Sequence, residues 1–361
     1  MLTIRGLTVR AVRVPMRRPL ATAGGTLASV PLLLLDLHTH EGVTGHAYLF
    51  CYSEAMMTPM RAILEDVAVA TAGAALEPLA LFDVLRRRYR LGGYDGLVSS
   101  TVAGFDVAVW DAAAKSAGLS LARYLGGAPR AVPAYNSNGL GVTRPDTAAA
   151  EAEELLAEGF SAVKVRLGYS DAAADVAVIR AVRARVPSST RIMTDYNQAL
   201  TVAEAVERGR ALDGEGLEWI EEPVRADDES ANATVARALT TPVQLGENFI
   251  GPLAFRRALA AAACDYAMFD LQRMYGITGW LRAAALADAA AMPVSSHLFP
   301  EVSAHLLAVT PTRHWLEYVD WAAPVLAEPL AVDHGTVRAA DVPGTGVGWN
   351  ETAVRRALIA L

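Results

Sequence analysis

The chain has 361 residues, 53% hydrophobic and 20% charged, enough for a sizeable core and long enough for two domains. A formal net charge of −7 without a basic stripe argues against a nucleic-acid or membrane partner. Two distant cysteines, Cys51 and Cys264, with no CxxC exclude a disulfide framework and a thiolate zinc site, and fit a reducing, cytoplasmic setting. The opening "MLTIRGLTVRAVRVP" alternates like a strand and lacks the apolar core of a leader, and "VPLLLL" is far too short to cross a bilayer.

Residues 1–50 read as three strands, "LTIRGLTVRAVRV", "SVPLLLLDLHT" and "GVTGHAYLF". The Pro/Gly-bearing "MRRPLATAGGTLA" between the first two reads as a loop with room to move. Helices are expected over 54–72, 79–91 and 97–117, the last ended by Gly118. Strands followed by a block of helices predict an α+β domain over 1–128. From 129 to 330 short apolar strands alternate with Ala-rich helices. The strands are "AVPAYNS", "AVKVRLG", "RIMTDYN", "LEWIEEP", "PVQLGEN", "YAMFDL", "MPVSSHL" and "HWLEYV". Eight such strands predict an α/β barrel of the TIM-like kind. A doubly wound sheet would carry a Gly-rich phosphate turn after its first strand, and none is present. "GTGVGW" at 344–349 follows a proline outside any βαβ unit and reads as a turn. The tail, 331–361, is expected to pack back on the first domain.

Each barrel strand ends at a chemically capable side chain: Ser137, Lys164 with Arg166, Asp195, Glu221, Glu247, Asp270, His297 and Glu317. The steps from Lys164 onward are 31, 26, 26, 23, 27 and 20 residues, about one βα unit each. Strand C-termini of a barrel share one mouth, so these residues should converge. Asp195, Glu221 and Glu247 would repel one another unless a divalent cation lay between them. All-oxygen donors suit Mg²⁺, with Mn²⁺ a possible substitute. Asp270 can orient His297 and leave one ring nitrogen free as a base. Glu317 is placed to hydrogen-bond a developing oxyanion. His305 and His314 read as structural.

"AVKVRLGY", "DYNQ", "WIEEP", "LGEN", "SSHLF" and "HWLE", with "YLFCY" and "AGFDVAVWD" earlier, closely resemble the mandelate racemase group of the enolase superfamily. The resemblance covers nearly the whole chain. It implies a modified (β/α)₇β barrel under an N-terminal α+β capping domain, with Mg²⁺ assisting removal of the α-proton of a 2-hydroxycarboxylate. It implies Lys164 and Ser137 as binders of the substrate carboxylate, and Asn197 at the α-hydroxyl. Leu20, Gly24, Leu27 and Tyr52 would lie in a capping loop over the substrate side chain, with Leu298 adding an apolar contact. By analogy with the group a homo-oligomer is expected.

The sequence departs from the group at Arg166, where the racemase that names it carries a lysine serving as a second base. Holding a guanidinium neutral near pH 7 costs roughly 7 kcal/mol, because its pKa lies above about 12.5. Arg273 and Tyr275 in "DLQRMYG", and Asn138, also differ and are candidates for altering the substrate. Two enzymatic readings follow. One is a racemase or epimerase of an apolar or aromatic 2-hydroxy acid. The other is a one-base dehydratase, using His297, of an acid sugar or other β-hydroxylated 2-hydroxy acid. An inactive metal-binding scaffold is the third and weakest reading.

Overall fold

The computed structural model describes residues 1–22 and 25–361; Gly24 therefore lies outside the described residues. Strands β1 (Ile4–Thr22), β2 (Gly25–Thr39) and β3 (Thr44–Phe50) form an antiparallel sheet in that order. Leu32, Leu33, Leu34, Leu35 and Leu37 of β2 are all buried, as an unbroken apolar run requires when both faces of a strand are covered. Helices α1 (Met57–Thr71), α2 (Pro78–Tyr89) and α3 (Leu97–Ser116) follow, and then the short α4 (Leu121–Tyr124). Gly45 lets β3 run close to α3, for a Cβ there would lie 2.0 Å from the Ala108 carbonyl oxygen. Among the described residues α3 is the one helix long and apolar enough to cross a bilayer. It runs through the centre of the cap, with every residue from Val102 to Val109 buried.

The barrel begins at β4 (Ala131–Asn136) and alternates thereafter: α5 (Pro145–Ala157), β5 (Ala162–Arg166), α6 (Ala172–Arg185), β6 (Arg191–Asp195), α7 (Val202–Leu212), β7 (Ile220–Glu221), α8 (Glu229–Ala238), β8 (Val243–Leu245), α9 (Gly251–Ala261), β9 (Tyr266–Asp270), α10 (Gly276–Ala289), β10 (Val294–His297), α11 (Pro300–Val309) and β11 (Arg313–Tyr318). Neighbouring strands pair in parallel from β4 to β11, and β11 pairs back to β4 through Leu316, Glu317 and Tyr318. The result is a closed (β/α)₇β barrel beneath an antiparallel-sheet cap. Asp171 caps α6, and Thr201 with Glu204 forms a capping box on α7. Tyr135, Ala162, Met193, Trp219 and Met268 plug the barrel interior.

The expected loop after β1 is a correction. "MRRPLATAGGTLA" continues both strands as a projecting ribbon, with Leu20 paired to Leu27 and Ala21 to Thr26 beyond an irregularity between Pro15 and Leu20. The prolines disturb the register without ending the pairing. The ribbon is fastened to α5: Arg17 lies 2.5 Å from Glu158, and Arg18 lies 3.1 Å from Glu154.

The tail divides its contacts. β12 (Val332–Asp333) and β13 (Thr336–Arg338) form a hairpin that extends the barrel sheet on β4. Beyond it the chain reaches the cap. Trp349 Nε1 donates to Asp36 at 2.6 Å, Arg10 pairs with Glu351 at 2.8 Å, and α12 (Glu351–Ala357) packs on β1.

Candidate active site

Parallel register brings the strand ends level. Arg166 lies opposite Asp195, Asp195 opposite Glu221, and Asp270 opposite His297. Carboxylate oxygens of Asp195, Glu221 and Glu247 lie within 4.8 Å of one another. Trp219 Nε1, in the barrel plug, donates to Glu221 Oε2 at 3.0 Å and fixes that carboxylate from below. Burial, aided by Asp195, Glu247 and Glu317 and opposed by Lys164, raises Glu221 to about 8. So strong a pull toward protonation is what crowded oxygen donors show without a cation between them. The spacing and the hard-oxygen donor set fit Mg²⁺.

Lys164 is buried among acids, 2.8 Å from Glu221, 2.9 Å from Glu317 and 3.3 Å from Asp195. Burial disfavours its charge, but Glu221 and Glu317 outweigh that and hold the ammonium well above the ordinary lysine range. Arg166 takes another solution. Its Nη1 donates to the Ser137 and Gly139 carbonyl oxygens, each at 2.8 Å, and its Nη2 to Ser137 Oγ at 2.9 Å. Two cations therefore share one strand face because each has its own acceptors, carboxylates for one and backbone oxygens for the other.

His297 Nδ1 lies 2.7 Å from Asp270 Oδ2, so the proton sits on Nδ1 and Nε2 points to the acids. Nε2 is 3.3 Å from Glu247 and 3.8 Å from Glu317. Burial alone would lower the imidazole pKa; Glu247, Glu317 and Asp270 instead lift it to about 10. A cation held by the triad would neutralise much of that pull and return His297 toward the neutral form a base needs. Glu317 accepts from Ser137 Oγ at 2.7 Å and from Leu298 N at 3.0 Å. Burial would raise it, yet Lys164 and His297 hold it below the usual carboxylate range. The two cations thus favour its ionised form, and it must gain a proton before it can donate one to an oxyanion. Asn197, at φ 45°, gives its backbone N–H to Asp195 at 2.7 Å and its Nδ2 at 3.0 Å.

These groups floor a cavity of about 210 Å³. Lys164, Arg166, Asp195, Asn197, Glu247, His297 and Glu317 line it below, and Leu20, Leu27, Tyr52 and Leu298 are in its walls. Ser137 and Asp270 stand behind that lining, touching Glu317, Arg166 and His297. Phe50, Val319 and Trp321 complete the apolar wall, and sequence reasoning missed all three. Val319 and Trp321 follow Glu317 at alternate positions, the one pattern that pointed to them. Glu222 was also missed. It is fully buried at φ 36°, and Asn248 Nδ2 bridges it to Glu247 at 2.7 and 3.1 Å.

Three candidate specificity positions stand away from the cavity lining. Arg273 stacks over the Tyr52 ring at 4.9 Å and donates to its hydroxyl at 3.3 Å, so its charge is directed to that phenol. Tyr275 packs with Phe82 and Tyr94 beneath the cap and bonds Asp95. Asn138 bonds Asn136 at 3.0 Å and Asp320 at 3.3 Å. His305 is buried between α4 and the tail, whereas His314 sits by Trp219 and Tyr266.

Residues 4–126 match the mandelate racemase/muconate lactonizing enzyme N-terminal domain, and residues 147–353 the enolase C-terminal domain-like family. The fold and its strand-end acids define an enzyme of the enolase superfamily. The chain belongs to the mandelate racemase/muconate lactonizing enzyme family within it. It is 30% identical to a 3,6-anhydro-alpha-L-galactonate cycloisomerase from Streptomyces coelicolor over 93% of this chain and 94% of that one. A crystal structure of an enolase from Bradyrhizobium, complexed with magnesium and mandelic acid, is 43% identical, covers 99% of both chains and has a TM-score of 0.94. An L-talarate dehydratase from Polaromonas sp. JS666, complexed with Mg and L-glucarate, is 28% identical over 100% of this chain and 98% of that one, with a TM-score of 0.93.

Proposed function

We propose that this chain is a Mg²⁺-dependent enzyme that removes the α-proton of a 2-hydroxycarboxylate with an apolar or aromatic side chain, from one face only. The observation that carries the single face is Arg166. Its guanidinium donates hydrogen bonds to three acceptor oxygens, the Ser137 and Gly139 carbonyls and Ser137 Oγ, so its N–H groups are committed as donors and present no lone pair to the substrate. Asp195, Glu221 and Glu247 would hold the Mg²⁺, which when bound would supply positive charge where negative charge develops on the substrate.

Lys164 binds the substrate carboxylate, and Asn197 meets the α-hydroxyl. His297 Nε2, oriented by Asp270, takes the α-proton. Glu317, protonated from solvent before the substrate closes the cavity, donates a hydrogen bond to the carboxylate oxygen. Arg166 remains a fixed cation in the wall. Lacking an opposed base, the enediolate is discharged on the same face. Where C3 bears no hydroxyl, the His297 imidazolium returns the proton to C2 with retention; where it bears one, the imidazolium gives its proton to the departing 3-hydroxyl, the C3–O bond breaks to give water, and the enol becomes a 2-keto acid. The dehydratases among the relatives support this course.

Racemisation of an aryl 2-hydroxy acid is the second reading. The apolar wall of Leu20, Leu27, Phe50, Val319 and Trp321 favours it, as does the neighbour bound to mandelic acid. Both enantiomers of mandelate, and of its 3-hydroxylated phenylpropanoate homologue, separate the readings when incubated with enzyme and Mg²⁺ in D₂O. Exchange from one enantiomer with retention, and a 2-keto acid from the homologue, are expected. Inversion of either mandelate overturns the single-face reading.

A further inference from the structure

We propose that Arg166 positions the apolar roof of the cavity by clamping the turn on which the β1–β2 ribbon rests; only the kinetic part of its test depends on the function proposed above. The turn after β4 is unusual. Gly139 and Leu140 are successive residues at φ 59° and 47°, the left-handed region that a leucine rarely occupies. Arg166 spans this turn from below. One guanidinium nitrogen holds the carbonyls of residues 137 and 139, and the Arg166 backbone N–H holds the carbonyl of Leu140 at 2.9 Å.

The far side of the same turn meets the ribbon. Val142 N–H donates to the Ala21 carbonyl at 3.1 Å. Gly141 lies flush against that residue, where a Cβ would come within 2.4 Å of the Ala21 oxygen and 2.9 Å of its nitrogen. A second link runs through Glu151, which accepts from Leu140 N–H at 2.9 Å and lies 3.5 Å from Arg18 of β1. Ala21 adjoins Leu20, and Leu20 pairs with Leu27; these two leucines are the ribbon's apolar contribution to the cavity. The path from Arg166 to the roof is thus continuous contact: guanidinium, turn carbonyls, Val142 amide, Ala21, Leu20. A lysine would lack the planar fork that bonds two carbonyls and a hydroxyl together. The arginine therefore gives up base chemistry and fixes the surface that meets the substrate side chain.

Amide hydrogen exchange on the substrate-free full-length protein tests this, comparing wild type with Arg166→Lys, Gly141→Ala and the double variant. Val142 and residues 18–22 and 25–28 are expected to exchange at least ten-fold faster in each single variant. Val163–Val165 of β5 should be unchanged, and the double variant no worse than the larger single. Gly141→Ala leaves the cations of the cavity intact, so it reports on docking alone. Ribbon exchange within two-fold of wild type in Arg166→Lys, or additive effects in the double variant, overturns the positioning role. In turnover, Gly141→Ala, which leaves every group lining the cavity in place, should raise KM for an aryl 2-hydroxy acid about ten-fold and leave KM for lactate unmoved. An equal rise for both acids overturns the proposal. Inactivity toward every 2-hydroxy acid with a normally protected ribbon counts against the proposed function instead.

Discussion

The floor and the roof of the cavity are built by different rules. On the floor nearly every functional group ends its own parallel strand and is held by a second side chain: Glu221 by Trp219, His297 by Asp270, Glu317 by Ser137 and Lys164. The roof is assembled from a ribbon, the end of β3 and the segment after β11. Its side chains are apolar, and packing holds them more than hydrogen bonds do. Charge preorganised on strand ends sets what reaction can occur. The shape of the apolar wall sets which molecule undergoes it. Changes to the floor should therefore abolish chemistry for every substrate, and changes to the roof should sort substrates.

The largest effect is expected at the triad. Glu221→Gln removes one charged donor, and α-proton exchange should fall by at least about a thousand-fold, as should wild-type activity after treatment with EDTA. Calorimetric titration with Mg²⁺ should show weakened binding in the variant. Retained exchange at limiting Mg²⁺ would mean that this carboxylate is not a ligand. Next is His297→Asn, for which a loss of roughly 10²–10⁴-fold in exchange is expected, the usual contribution of a general base. Mg²⁺ affinity should change little, which separates the base from the ligands. Exchange persisting from the enantiomer that His297 serves would put the base elsewhere.

Much of the floor was legible because the βα repeat places one polar residue at each strand end, and register does the rest. Asp195, Glu221, Glu247, Asp270, His297 and Glu317 follow one another at steps of 20 to 27 residues, yet that spacing alone predicts that they meet. What the repeat could not tell was how groups behind the lining are used. Ser137 reads as a strand-end hydroxyl, but only coordinates show it shared between Glu317 and Arg166. Glu222 hides behind Glu221 in "WIEEP", since adjacent acids look alike until the backbone turns one of them away. The roof was read least well. Pro19 and the glycines signal a loop, and the ion pairs to α5 that accompany the ribbon lie more than a hundred residues away. Phe50 and Trp321 come from opposite ends of the chain and meet at 5.6 Å, a contact that no local pattern encodes.

Away from the cavity, α11 of the barrel meets α4 and the tail, and the smaller effect expected there is on stability. His305 of α11 accepts from Ala122 N–H through Nδ1 at 3.1 Å, so its proton is on Nε2, which donates to the Thr345 carbonyl at 3.1 Å. Burial lowers this histidine to about 4. The neutral ring therefore contributes stability in full above an unfolded pKa near 6.5, and the contribution is lost as pH falls through about 4. The loss should amount to roughly 3 kcal/mol. Urea unfolding at pH 7 and pH 4 should show His305→Asn less stable than wild type at the higher pH, with the gap closing at the lower. A gap independent of pH would mean that the imidazole contributes packing alone.

The smallest effect sharpens the contrast most, because it should spare the chemistry. Leu27 and Trp321 belong to the apolar wall, and neither side chain can take or return the α-proton. Leu27→Ala removes apolar surface that a bound side chain would cover, on the order of 1–2 kcal/mol at about 25 cal/mol per Å². That predicts a rise of roughly ten-fold in KM for an aryl 2-hydroxy acid, with kcat lowered less than three-fold and lactate unaffected. Trp321 carries a further signal, since its indole N–H is buried without a hydrogen-bond partner among the described residues. Trp321→Phe keeps the ring surface and removes that donor. If the wall acts only through apolar contact, this variant should match wild type on every aryl acid. A selective loss on ring-substituted acids that carry an acceptor would show that the roof reads polarity as well as shape. Loss of kcat on lactate in either variant would erase the division between the two walls, because a side chain remote from the proton would then be setting the rate of its removal.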